Sequence, residues 1–282
     1  MKRVRPLIFV LSLGCCLIAL SIATSKVKAF RKNLPMELVR REALMVDPVA
    51  LKVVSGEFRG LLADFLLLKA AIIDGGEPDK MTAEDWDAVY MLYKQSLVLD
   101  PFFYQTAYYI QGNLVWREGM TRKAMDLLKI SADKRTWDWN PLWYLGFDYA
   151  HFYNDRIRAA DYFLSASKKP DAPPLFGILA ARLNQAGGQA LTSIAILKAM
   201  QEHTDNEEFK KELELRIQAH KGVYQLEQSV GAFQIRFGRL PISLEELVTT
   251  GILGRLPINP YSDSDKYYYD PKTGHVDYGS RK

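Results

Sequence analysis

The sequence predicts a mainly α-helical chain: a solenoid of helix pairs with an N-terminal transmembrane helix and a small C-terminal α+β hairpin appendix. Three observations predict it. A helix-pair pattern recurs at intervals of 34 or 35 residues between Trp86 and Met200. Positions 7–23 are uncharged and apolar. After residue 223 the spacing changes to short breaks, extended pieces and a tyrosine-rich hairpin. The expected division is 1–29 anchor or signal peptide, 30–48 linker, 49–222 helical repeats with a capping helix, and 223–282 tail.

Composition frames this reading. Of 282 residues, 48% are apolar and 25% charged, the balance of a folded chain. The net charge of +4 comes from the N-terminus. Lys2, Arg3, Arg5, Lys26, Lys28, Arg31 and Lys32 are the only charges before Glu37; without them 30 basic residues face 33 acidic ones, about −3. Overall charge therefore gives a nucleic-acid partner no support.

Between the two basic clusters, Leu7 to Ala23 is a run of 17 residues. That is the lower limit for a membrane-spanning helix, and longer than the usual core of a signal peptide. The first reading is an uncleaved anchor that contacts the membrane through residues 7–23. A cleaved signal peptide, with Ser21-Ile-Ala23 or Val27-Lys-Ala29 as small-residue site, is one alternative. Lipid modification of Cys15 or Cys16 is the other; the apolar run continues past both. Basic residues flank both ends, so the positive-inside rule gives no firm orientation. A short basic tail before the anchor most simply places the body on the periplasmic side of the inner membrane. Both cysteines lie in this segment, so the body has no thiol chemistry of its own.

Phe30 to Val46 reads as a linker and short helix. Asp47-Pro48, a good cap followed by a good first-turn residue, opens a long helix from Val49 to Ile73. Glu57, Arg59, Asp64 and Lys69 interrupt it, which argues against a second membrane span. Gly75-Gly76-Glu-Pro78 closes it. Thr82 and Asp85 form a capping-box pattern for the next helix, to Leu99.

The recurring unit is clearest at Pro141-Leu-Trp-Tyr-Leu-Gly146, a break at Asn154-Asp155, then Ala159, Phe163, Ala166 and a closing Pro170. Ala, Phe and Ala at i, i+4 and i+7 put one stripe on the second helix, and a small residue in the first helix admits it closely. Val89, Tyr93 and Ser96 precede it in register. Gly112 with Ala124, Leu128 and Ser131 is the next copy, and Ala181 with Ser193, Leu197 and Met200 the last. From Glu57 to Met200 the chain resembles the tetratricopeptide repeat (TPR) family, whose period is 34 residues. The match departs from the pattern at an insertion near 75–82, at one extra residue between Gly146 and Ala159, and at Ser131, Ser193 and Met200.

Asn206 to Lys221 reads as a charged capping helix, with Phe209, Leu213 and Ile217 on one face. Gln225 to Phe237 reads as a further helix. Phe237-Gly-Arg-Leu-Pro241, Ser243-Leu-Glu-Glu-Leu247, Gly251-Ile-Leu253, Leu256-Pro-Ile-Asn-Pro260 and Tyr267-Tyr-Tyr-Asp-Pro-Lys-Thr-Gly274 follow in order. Residues 225–278 resemble the C-terminal halves of type II secretion pseudopilins and their small relatives. The pilin N-terminal helix and processing site do not precede them. Asp270 to Gly274 is the expected hairpin loop between Tyr267–Tyr269 and His275–Tyr278.

No catalytic residue, metal ligand or cofactor emerges. The four histidines, His151, His203, His220 and His275, are not at metal-binding intervals, and His220 and His275 read as surface residues. No nucleophile elbow or phosphate loop is present. Asp263, Asp265, Asp270 and Asp277 gather oxygen ligands near the hairpin, without the Gly and Glu of a calcium-binding EF-hand loop. The TPR resemblance implies a groove lined by first helices. That projects Tyr109, Asn113, Trp116 and Arg117 from one repeat, Trp143, Phe147 and His151 from the next, and Arg182 and Gln185 from the fourth. Aromatics beside Arg and Asn suit a protein or peptide partner, an extended strand or an amphipathic helix; neither nucleic acid nor a small-molecule substrate is expected. The lysines of a carboxylate-clamping TPR groove are missing. The function expected is a membrane-anchored TPR-like scaffold mediating protein–protein interactions in the bacterial cell envelope, tied to a secretion or pilus-like assembly. The alternative is a secreted, periplasmic, chaperone-like or peptide-binding factor.

Overall fold

The computed structural model describes residues 14, 17–18, 20–26, 43, 46–75, 81–262 and 264–279. Most of the anchor and linker, positions 76–80 and Asp263 lie outside them. Among the described residues no helix is long and apolar enough to cross a membrane. The chain is mainly helical, with one small sheet near its C-terminus. It divides after Lys134 into two compact units.

The first unit contains α1 (Pro48–Ser55), α2 (Arg59–Asp74), α3 (Ala83–Leu99), α4 (Tyr104–Gly112) and α5 (Thr121–Lys134). Asp47 caps α1 as expected: its Oδ1 accepts from the Val49 and Ala50 amides at 2.8 and 2.9 Å. The single helix expected from Val49 to Ile73 is broken. Gly56 sits at φ +49° and the chain makes a 3-10 turn over Gly56–Phe58 before α2. Only glycine enters that backbone region at little cost. The Gly75 amide closes α2 by donating to the Ala71 carbonyl at 2.9 Å. The Thr82–Asp85 capping box is complete: the Thr82 amide donates to Asp85 Oδ2 at 2.9 Å, and the Asp85 amide to Thr82 Oγ1 at 3.3 Å. Two buried polar side chains of α3 find partners outside the helix, while the buried Tyr93 hydroxyl has none among the described residues. Ser96 and Thr106 share a hydrogen bond of 2.9 Å, and Gln95 donates to the Ala43 and Val46 carbonyls.

The second unit runs α6 (Asn140–Tyr153), α7 (Arg156–Ser167), α8 (Leu175–Ala186), α9 (Ala190–Glu202), α10 (Glu207–Phe237) and α11 (Leu244–Thr249). From α6 to α10 each helix packs on the next, and the short connections make neighbours antiparallel. Asn154, in the left-handed region at φ 49°, ends α6, and Asp155 caps α7 by accepting from the Arg158 amide. The periodic positions are the buried ones. Of the twelve read from Val89 to Met200, eleven are buried and Met200 is half-buried.

The small residues divide differently from the expectation. Phe163 packs directly on Gly146, where an added Cβ would meet the ring at 3.2 Å. Gly112 has no such neighbour; it ends α4 and admits no helix. In the α8–α9 pair Gly177 also makes a close approach, its missing Cβ leaving room for the Met200 thioether.

The capping helix and the tail helix, expected to separate near residue 222, are one helix of 31 residues. Asn206 caps it and Gly238, at φ 69°, ends it. A lone glycine inside a helix costs about 1 kcal/mol but does not break it. Gly222 instead makes a notch that receives the Tyr267 ring. Leu213 and Ile217 are buried in the first half of α10, which packs on α9. Ala219, Val223, Leu226, Val230 and Phe233 carry the same helix into the core of the tail, with Leu247, Val276 and Tyr278. Each large apolar side chain buried there contributes roughly 2 kcal/mol. Strands β1 (Tyr268–Tyr269) and β2 (Val276–Asp277) pair antiparallel, Tyr268 opposite Asp277 and Tyr269 opposite Val276. Asp270 builds the turn as expected, accepting from the Lys272 amide and the Thr273 hydroxyl.

Gly222→Ala should therefore destabilise the protein by about 1–3 kcal/mol, because Tyr267 must move. Gly231→Ala, on the same helix with nothing within 4 Å of the new Cβ, should stabilise it by about 0.5–1 kcal/mol through helix propensity. Thermal melts of the two variants beside the wild type measure this opposition of sign.

Candidate functional site

Four of the nine groove residues belong to the first unit and five to the second, and each set has its own geometry. In the first unit, the expected helical face from Tyr109 to Arg117 is interrupted. The helix ends at Gly112, the Asn113 amide donates to the Tyr109 carbonyl at 3.0 Å, and Leu114–Trp116 form a 3-10 turn. Tyr109 keeps a partly exposed ring, edge-on to Tyr108 with centroids 6.0 Å apart. Trp116 is half-exposed, and its indole N–H donates to the Gln111 carbonyl at 3.0 Å. Arg117 turns inward. Its Nη2 lies 3.2 Å from the buried Asp74 carboxylate, and its guanidinium sits 4.7 Å over the Trp86 ring. Burial pushes the Asp74 carboxyl up, and the Arg117 charge pulls against that. Arg117 thus holds a carboxylate at the C-terminal end of α2, where the helix dipole itself disfavours an anion.

In the second unit, Trp143 lies between helices. It stacks on Phe176 with centroids 6.4 Å apart and meets Trp139 edge-on at 6.5 Å. Phe163, seated on Gly146, also stacks on Phe176, with centroids 6.2 Å apart. Phe147 and His151 stack on each other on α6 at 5.3 Å, His151 being exposed.

Arg182 and Gln185 are engaged by the chain itself. The Arg182 fork meets Asp277 of β2 at 2.7 and 3.0 Å, and the guanidinium lies 4.3 Å over the Tyr278 ring. The buried Gln185 donates to the Val276 carbonyl at 3.1 Å and accepts from Arg182 at 3.1 Å. Burial works to raise Asp277; the Arg182 fork and the Gly279 amide overcome it and hold the carboxyl below the usual range. A side-chain fork plus a main-chain contact is peptide-recognition chemistry, and here the strand recognised is β2.

His220 is buried, not on the surface. It hydrogen-bonds Ser193 and lies 4.7 Å from the Tyr278 ring. Burial, helped by Arg182 and Arg216, lowers its pKa from 6.5 to about 3, so it is neutral. Serine beside histidine is the start of a nucleophile–base pair, but both side chains are almost inaccessible, at 0 and 1% exposure. The half-buried His275 follows the hairpin turn. The acidic residues near it do not converge: Asp277 is taken by Arg182 and Asp270 by its own turn. Among the described residues no group of three His, Cys, Asp or Glu could hold a metal ion. Asn259 ties the preceding loop instead, donating to the Lys266 and Tyr278 carbonyls at 2.8 Å.

Comparison with protein-family models, with curated proteins and with solved structures returns no match. Sequence reading missed the Arg182–Asp277 and Arg117–Asp74 pairs, whose partners stand 95 and 43 residues apart. It also missed the Ser193–His220 contact. His220 follows Leu213 and Ile217 at i+7 and i+3, on the buried face of α10, and that spacing was the available signal.

Two measurements follow from these contacts. Arg117→Ala leaves Asp74 buried and unpaired and should cost about 2–4 kcal/mol. Adding Asp74→Asn should restore more than half of that in urea unfolding. For His220, the unfolded state takes up its proton first as pH falls. Stability should be full above about pH 6.5 and decline towards pH 3, by about 2 kcal/mol between pH 7.5 and 5. The urea midpoint of a His220→Asn variant should be nearly flat over that range.

Proposed function

We propose that the chain is a membrane-anchored, TPR-like scaffold that assembles or tethers proteins in the bacterial cell envelope, in the setting of a secretion or pilus-like system. One observation carries it: positions spaced 35, 35 and 34 residues apart, Val89, Ala124, Ala159 and Ser193, are all completely buried. A period that recurs on buried positions is what a row of repeated helix pairs requires. The Gly146–Phe163 and Gly177–Met200 approaches support the same reading, as do five successive helices that each pack on the next. The uncharged run from Leu7 to Ala23 supports the anchor, and the hairpin built on α10 supports the likeness to pseudopilin tails.

Partner capture falls to the side chains that remain accessible: Tyr109, Trp116, Phe147 and His151. Arg117, Arg182 and Gln185 are committed to internal contacts and are assigned to architecture here. Trp143 packs between helices and supports the surface without forming it.

Photo-crosslinking in cells tests this. A benzophenone amino acid at Tyr109 or Phe147 should give discrete protein adducts in the membrane fraction, and one at the exposed Asp133 should give few. Equal labelling at all three sites, or none, removes the scaffold reading. A mature chain that lacks residues 1–29 and washes off membranes, yet gives adducts at Tyr109, replaces the anchored scaffold with a secreted peptide-binding factor.

A further inference from the structure

Among the described residues, α1 and α2 are apolar on the side their neighbours leave uncovered. Phe58, Leu61, Phe65 and Leu68 are 73, 70, 57 and 57% exposed, and Val53 and Val54 are 78 and 85% exposed. The opposite side of α2 is occupied: Ala63, Leu66, Leu67, Ala70 and Ile73 are buried, and α2 packs against α3. At about 100° per residue, Leu61, Phe65 and Leu68 of α2 fall within an arc of about 60°, and Phe58 precedes them at the end of the 3-10 turn. The three run about 10 Å along the helix. Asp64 lies beyond one border of the arc and Lys69 beyond the other. No charge falls inside it.

Scattered exposed apolar side chains need no explanation, but a continuous stripe does. We infer that this stripe is a second membrane contact, through which α1 and α2 seat the body of the protein on the lipid surface. The inference rests on the anchored reading above. The argument for lipid as the occupant is position and charge. These helices follow the apolar run that ends at Ala23, and only positions 24–47 separate that run from α1. An anchored chain therefore meets the bilayer at this end of its body first. The stripe carries no charge for a polar partner to match, whereas an interfacial helix needs only an apolar face and water-facing borders. The exposed Lys52 and the half-buried Lys69 have long stems that place their charges at headgroup level while their methylenes stay in contact with apolar surface.

Spin labelling of the full chain tests this in vesicles of phosphatidylethanolamine and phosphatidylglycerol. Cys15 and Cys16 are first replaced by serine, then single labels are attached at Phe65→Cys, Leu61→Cys and, as an aqueous control, Asp133→Cys. The expected result is that labels 65 and 61 collide with oxygen but are several-fold less accessible than label 133 to a water-soluble nickel chelate. Nickel accessibility equal to that of label 133 places the stripe in water and overturns the inference. Protection from both reagents means that protein covers the stripe, a second copy or the chain's own N-terminal segment, and overturns it as well. Flotation of the same samples separates the two levels of the argument. A chain that floats with its stripe in water sinks only this inference, whereas a chain that does not float sinks the anchored reading and this inference together.

Discussion

Every helix that packs on its predecessor leaves a new apolar face to be covered, and the second unit is arranged around how that is met. From α6 onward each helix covers the one before it, and the last, α10, covers α9 with Leu213 and Ile217. A short polar helix would have been enough to finish the row. The chain continues α10 instead, so its second half supplies Ala219, Val223, Leu226, Val230 and Phe233 to a further core. The strand β2 then returns to α8 through Asp277 and the Val276 carbonyl. The helical row and its hairpin are thus parts of one compact body, whose joint is a helix with a notch at Gly222.

Arginine plays the same part in both units. Arg117 and Arg182 lie where the repeat pattern projects a binding surface, and each instead fixes a carboxylate while lying over an aromatic ring. A guanidinium suits this use because it is planar, always charged and weakly hydrated. Removing one partner from such a pair strands a desolvated charge, so these residues are architectural even though they belong to the class that binds peptides. Aromatic residues divide in the same way: Trp143 is half-buried between α6 and α8, while Trp116 stays half-exposed.

Much of the fold was legible in the sequence because the signals are local. The Asp47 cap, the Thr82–Asp85 box, the Asp270–Gly274 turn and the recurring buried stripe all act within a few residues. The breaks were harder to read. Gly56 and Gly222 are the same residue type in apolar helical surroundings, yet one ends a helix and the other receives a tyrosine ring. The difference is set by Tyr267, 45 residues away in the chain from Gly222. The projection from Tyr109 to Arg117 assumed a continuous helix, and α4 stops at Gly112. Contacts between α8 and β2 leave no periodic trace, because a lone Arg and a lone Asp carry no register.

The docking of β2 also bears on how the protein is made. Val276 and Tyr278 are core residues, yet they follow Arg182, the base on which they are anchored, by more than ninety positions. Contacts of such long sequence separation form late, because the loop must close before they repay its entropy. During synthesis the row from α6 to α10 can pack as each helix emerges, but the core on α10 between Ala219 and Phe233 is completed only when Val276 and Tyr278 join Leu244, Leu247 and Leu253 on it. The nascent chain therefore passes through a stage in which a finished helical row carries an incompletely covered flank.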